Sequence, residues 1–215
     1  MNDFSLPDKE RLKAIAIWGM IATVAFPLIY GFTNNYASKS SDLYHMYTQF
    51  ELSLPLIPWM IIPYLSLNLL FVVAAFVLKS PRVVKAYCLS LVLGAFLAGI
   101  IFILFPGKLG FVREGAPYFT AIFEGMYSID QPHNLFPSLH VTYSSLSIWA
   151  MLEQSKNKIF HGFLWGWLFL ISFSVVFVHQ HHLIDIVSGW FLALFIWKVF
   201  YSKLWPNKLK PAYIW

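Results

Sequence analysis

IPWMIIPYLSLNLLFVVAAFVL, residues 57–78, is a run of 22 residues without a single charged side chain. At 1.5 Å of rise per residue such a run makes a helix of roughly 33 Å, enough to cross the apolar core of a bilayer. A helix in lipid also satisfies its own backbone polar groups. Lys79-Ser80-Pro81-Arg82 closes the run with a short basic turn, so it reads as a transmembrane helix. The composition agrees. Of the 215 residues, 59% are hydrophobic, 19% aromatic and only 12% charged, with a mean hydropathy of +0.64, which excludes an ordinary soluble domain.

On either side the same pattern recurs. Ala86 to Phe105 is a further uncharged run, ended by Pro106-Gly107. Upstream, Leu12 to Phe32 follows a polar start with Lys9, Arg11 and Lys13. A signal peptide is the alternative there, but the apolar part is long and Tyr36-Ala37-Ser38 is a poor cleavage site, so the segment is expected to be an anchor that Pro27 kinks. Downstream, spans are expected from Pro137-Ser138 to Glu153, from Ile159 to Val178, and from Leu183 to about Leu204, where Lys198 and Lys203 snorkel. Thr33 to Pro55, with Asp42, His45 and Glu51, is an interfacial segment between spans 1 and 2, either a helix or a solvated crossover. The expected fold is therefore all-α, an integral membrane bundle of six transmembrane helices forming one domain over 1–215. Cys88 is the single cysteine and lies in an apolar run, so no internal disulfide forms.

Six spans place both termini on one side. That side carries 12 of the Lys and Arg residues (9, 11, 13, 79, 82, 85, 156, 158, 198, 203, 208 and 210), and the other only 3, Lys39, Lys108 and Arg113. The positive-inside rule makes the termini cytoplasmic, in the cytoplasmic membrane, with Lys108 to Ser138 and His179 to Asp185 facing outward, toward the periplasm in a bacterium. The net charge of +5 is spread between apolar segments and forms no stripe, so nucleic acid is not an expected partner.

Both outward segments carry chemistry. Between Ser174 and Asp185, three of the seven histidines and one carboxylate interrupt an apolar run. His181 and Asp185 are four apart and share a helix face, so the carboxylate can hold imidazole Nδ1-H and leave Nε2 open, which is how a nucleophile or base is oriented. A polar helix end at the membrane surface explains the same local pattern, although ionisable groups at membrane depth are functional by default. In Phe136-Pro137-Ser138-Leu139-His140, Ser138 reads as an N-cap, and the free amides and dipole of that terminus also make an anion site beside His140. His140 alone at a helix start reads as structural. Opposite His181 and Asp185 it becomes a candidate acid. Lys108 and Arg113 supply cations for a phosphate, or else snorkel to lipid headgroups.

Taken together, these residues resemble the type 2 phosphatidic acid phosphatase superfamily of membrane lipid-phosphate phosphatases and phosphotransferases. Its three motifs correspond to Lys108 with Arg113, to Pro137-Ser138-Leu139-His140, and to Ser174 leading to His181 and Asp185. The gap from Lys108 to Arg113 is shorter than usual, Glu114 replaces a proline, and Val175 replaces an arginine that binds phosphate. Leu139 replaces glycine, as in the Ser-Leu-His branch that includes inositol phosphorylceramide synthases. The resemblance implies that His181 attacks phosphorus to form a phosphohistidine, that Asp185 orients it, and that His140 protonates the leaving alcohol and then activates the acceptor. It further implies that Arg113, Lys108 and Ser138 hold phosphoryl oxygens, with Gln180 or His179 replacing the arginine lost at Val175. The substrate implied is a lipid phosphate or lipid diphosphate, with no cofactor and no metal. Adjacent histidines point to different helix faces and no cysteine assists, which argues against zinc at His179, His181 and His182. Hydrolysis is the leading expectation. Phosphoryl transfer between lipids, and a non-catalytic lipid-binding or transport role, are the alternatives.

Overall fold

Asp8, Ser80, Ser138 and Asn157 each precede a helix, and each side chain accepts a first-turn amide, from Arg11, Val83, Val141 and Ile159 respectively. These caps fix where four helices begin. The computed structural model describes residues 3–113, 115–129 and 131–204, so Glu114, Asp130, Lys208 and Lys210 lie outside the described residues.

The helices are α1 (Lys9–Ala37), α2 (Ile61–Leu65), α3 (Leu67–Val77), α4 (Pro81–Leu104), α5 (Thr120–Ile129), α6 (Leu139–Leu152), α7 (Lys158–Phe177) and α8 (Leu183–Ile196). A π-helical turn, Trp197–Tyr201, and a short α9, Ser202–Leu204, extend α8. Among the described residues there is no strand, only an isolated bridge between Tyr44 and Gly107. The protein is an all-helical integral membrane protein.

Five helical stretches are long and apolar enough to cross a membrane: Lys9–Ala37, Pro58–Val77, Pro81–Leu104, Lys158–Phe177 and Leu183–Leu204. The sixth expected span differs. α6 has 14 residues, about 21 Å at 1.5 Å each, short of the roughly 30 Å apolar core. It lies inside the bundle, packed on α3, α4, α7 and α8, with Val141 to Ile148 wholly buried. Ser144, Ser145 and Ser147 donate to the carbonyls of His140, Val141 and Tyr143, while Thr142 also donates to Gly189 O of α8 and Ser147 meets the Tyr87 hydroxyl of α4. Such a helix needs neither length nor apolar composition, because its neighbours shield it.

Two further expectations change. The run at 57–78 is broken: a 3₁₀ turn, Pro58–Met60, leads into α2, and α3 begins only after Ser66. Pro63 contributes no N-H there, and the Ser66 hydroxyl bonds Pro63 O while accepting Trp167 Nε1-H from α7. The interfacial segment has no α-helix of its own: α1 runs on through Pro27 to Ala37 and takes up residues 33–37, and the rest is a crossover whose regular element is the 3₁₀ turn Glu51–Ser53.

α1 is the loose wall of the bundle. It touches α4 closely at Gly99, where a Cβ would lie 2.9 Å from Ile29 Cγ2, yet most of its apolar surface faces outward. Behind it lies a cavity of about 770 Å³. Phe26, Phe71, Leu91 and Tyr143 line its apolar length, and His140 and His181 line it too. Far from those histidines the opposite end is tied by Ser5 N-H to Phe76 O and by Lys79 Nζ to Gln154 O.

Candidate active site

The turn between α7 and α8 sets the geometry. Gln180 and His181 both donate their amides to Val175 O, at 3.0 Å each, and the chain reverses through His179, whose φ is 55°. That left-handed conformation costs a non-glycine residue about 1 kcal/mol and must be held from outside. Phe111 holds it, stacked on the His179 ring at 4.0 Å, and Leu54 O lies 3.1 Å from Nε2. His179 is thereby committed to the neighbouring loops.

α8 starts at once. His182 N-H donates to Asp185 Oδ2 at 2.8 Å, a first-turn carboxylate serving the helix N-terminus. The same oxygen lies 3.3 Å from His181 Nδ1, so the expected pair forms, but not on a shared helix face: His181 precedes the N-cap His182 and meets the first-turn carboxylate from the turn ahead of α8. Asp185 is 1% exposed, and its Oδ1 has no hydrogen-bond partner among the described residues. His181 is buried as well, and Nε2 makes no hydrogen bond among the described residues.

α6 delivers the second polar group to the same place. Ser138 is buried, its N-H donates to Asp185 O at 3.1 Å, and its hydroxyl caps α6. The helices meet this closely only because residue 189 is glycine: a Cβ there would sit 2.7 Å from Ser138 O. His140, in the first turn of α6, stacks on Tyr64 with ring centroids 4.0 Å apart.

Of the expected cations, Arg113 reaches the turn. Its Nη2 donates to Gln180 Oε1 at 3.0 Å, and its guanidinium lies over the Tyr127 ring of α5 at 4.9 Å. Lys108 is exposed, with its backbone N-H on Tyr44 O. Val175 points into an apolar cluster with Ile61, Phe111 and Val178 and is fully buried. Among the described residues no group of three or more His, Cys, Asp or Glu side chains is arranged to hold a metal ion.

Glu51, expected in a solvated crossover, is instead buried beside the site. It is 2% exposed, Oε1 accepts from Thr48 N-H and Oγ1-H, and Oε2 accepts from Leu183 N-H at 2.8 Å. His182 Nδ1 faces Oε2 at 3.4 Å, an electrostatic contact longer than an aligned hydrogen bond, while Nε2 accepts Gly110 N-H at 3.0 Å. Burial pushes the Glu51 carboxyl up, but the bonds from Leu183 and Thr48 and the nearby His182 outweigh it and leave the pKa below the ordinary value. Burial dominates at His182, lowering its pKa against the pull of Asp185 and Glu51. A neutral imidazole therefore sits against an ionised carboxylate. One sign was legible: Glu51 is the only charged residue between Asp42 and Lys79.

The sequence profile of a known family, the PAP2 superfamily, matches residues 56–199, well over half the chain and all of the segment from Lys108 to Asp185. The chain belongs to the PAP2 superfamily. Members of this superfamily are phosphatases or phosphotransferases. No curated protein matches the chain. The PAP2 match is to the superfamily and does not extend to Glu51.

Proposed function

We propose that this PAP2 protein is a lipid-phosphate phosphatase working at the extracytoplasmic face of the cytoplasmic membrane through a phosphohistidine on His181. The observation that carries the reading is the shared cavity: His140 and His181 line the same apolar space, and Asp185 stands behind His181. A lipid chain fits between α1 and α3, and its phosphate meets the two imidazoles. The His181 Nε2 lone pair attacks phosphorus while the bond to the lipid oxygen breaks. Protonated His140 gives that oxygen its proton, and Asp185 stabilises the charge gained by His181. Neutral His140 then takes a proton from water, the new P-O bond forms, and the P-N bond to His181 breaks. Arg113, held by Gln180, takes the non-bridging oxygens with the amides at the start of α6. The excess of Lys and Arg at the opposite end supports cytoplasmic termini.

Phosphoryl transfer to a lipid alcohol is the second reading, favoured by Val175, whose burial in an apolar cluster leaves no arginine at that motif position. Phosphate release from phosphatidate and isoprenyl diphosphates, in chelator and without added alcohol, separates the two. A hydrolase liberates inorganic phosphate under those conditions. Phosphate appearing only in a new lipid ester would replace hydrolysis with transfer.

A further inference from the structure

We infer that Glu51 and His182 are positioning residues, a second carboxylate-histidine pair that locks the loops at 38–57 and 105–113 onto the N-terminus of α8 and so holds Arg113 on Gln180, the residue before His181. The inference rests on the reading of His181 as nucleophile. A buried carboxylate is expensive unless it is fully bonded, and an apolar residue would fill the same space more cheaply. Glu51 is bonded where an apolar residue would be useless. It takes Leu183 N-H, a first-turn amide of α8 that has no partner inside the helix, two residues from His181.

His182 links that carboxylate to the arginine loop. Its ring is stacked between Tyr47, at 4.6 Å, and Phe111, at 4.8 Å, and Phe111 continues the stack onto His179. One edge of the imidazole faces Glu51 and the other accepts Gly110 N-H, three residues before Arg113. Gly110 has no room for a side chain, since a Cβ would lie 2.7 Å from both Leu52 and Tyr47. Three segments distant in sequence are thus registered through one ring. Nε2 takes Gly110 N-H, Nδ1 faces Glu51 without an aligned hydrogen bond, and the ring is buried away from substrate, so the pair acts through its neighbours.

The test compares Glu51→Gln, His182→Phe and the double variant with wild type in detergent. His182→Phe keeps a ring for the stack but removes both polar contacts. A positioning role predicts kcat lower by about 10- to 100-fold with KM within about twofold, because reacting groups displaced by an ångström lose rate rather than binding. The double variant should lose no more than the worse single variant, since both changes break one device. Amide exchange of residues 105–113 should quicken in His182→Phe while the melting temperature stays within a few degrees. Wild-type kcat with unchanged exchange in both single variants would overturn the inference, and so would losses that multiply in the double variant. A variant that melts early is replaced by Thr48→Val, which removes only one of the bonds to Glu51 and should give a smaller loss of the same kind; wild-type kcat there also counts against the inference. His181→Ala, measured alongside, keeps the two questions apart: activity surviving in it overturns the nucleophile assignment itself.

Discussion

His181 and His182 are neighbours in the chain, each beside a buried carboxylate, and the two pairs end differently. His181 Nδ1 meets Asp185, and the ring's other nitrogen is left at a cavity wall. His182 faces Glu51 with one nitrogen and spends the other on Gly110 N-H. An imidazole backed by a carboxylate is a nucleophile or base only where its far nitrogen is unspent. With both edges engaged, the same ring becomes a bracket.

The sharpest break of this contrast is to remove each ring in turn. His181→Ala should lower kcat for phosphate release by about 10⁴-fold or more, as losing a covalent nucleophile does, whereas His182→Ala should leave measurable turnover. Equal losses would erase the distinction. A smaller effect is expected one step back, at the loop the bracket holds. Gly110→Ala forces a Cβ against Leu52 and Tyr47 and should cost several-fold in kcat, while Gly115→Ala, with nothing within 4 Å, should leave kcat unchanged.

The smallest effect is a pH dependence. Because burial lowers the His182 pKa from its ordinary 6.5, the unfolded or locally opened state binds the proton more readily. Stability of the loop arrangement is therefore fully present above about 6.5 and falls as pH drops toward the folded value. Glu51, whose pKa is also lowered, adds a loss in the same direction at still lower pH. Amide exchange at 105–113 should quicken on acidification through this range in wild type, and the His182 component should vanish in His182→Phe.

Much of this was legible in the sequence because it is local. The uncharged run at 57–78 announces a membrane helix, and the nearness of His181 to Asp185 in the chain announces their contact, although it is made from the turn ahead of α8 and not across a helix face. The shortness of α6 was not legible, because hydropathy cannot tell a helix shielded by protein, for which 14 residues suffice, from one bathed in lipid. Its buried serines bond their own helix, and Ser147 also meets the Tyr87 hydroxyl of α4. Glu51 looked like a solvated loop residue because the groups that bury it, Leu183 and His182, lie more than 130 positions away. No periodicity encodes a contact of that range. The roles of Lys108 and Arg113 were alike by residue type, and only the fold separates them, with Arg113 over Tyr127 and on Gln180 and Lys108 exposed.

The most direct measurement traps the intermediate. Purified protein is mixed briefly with ³²P-labelled lipid phosphate, quenched in alkali, digested and sequenced by mass spectrometry. A base-stable, acid-labile phosphoryl group on the peptide 179–185, located at His181, absent from His181→Ala and slower to form in His140→Ala, is the predicted result. Label on His182 or His140, or turnover with no labelled protein in any of these variants, would contradict it.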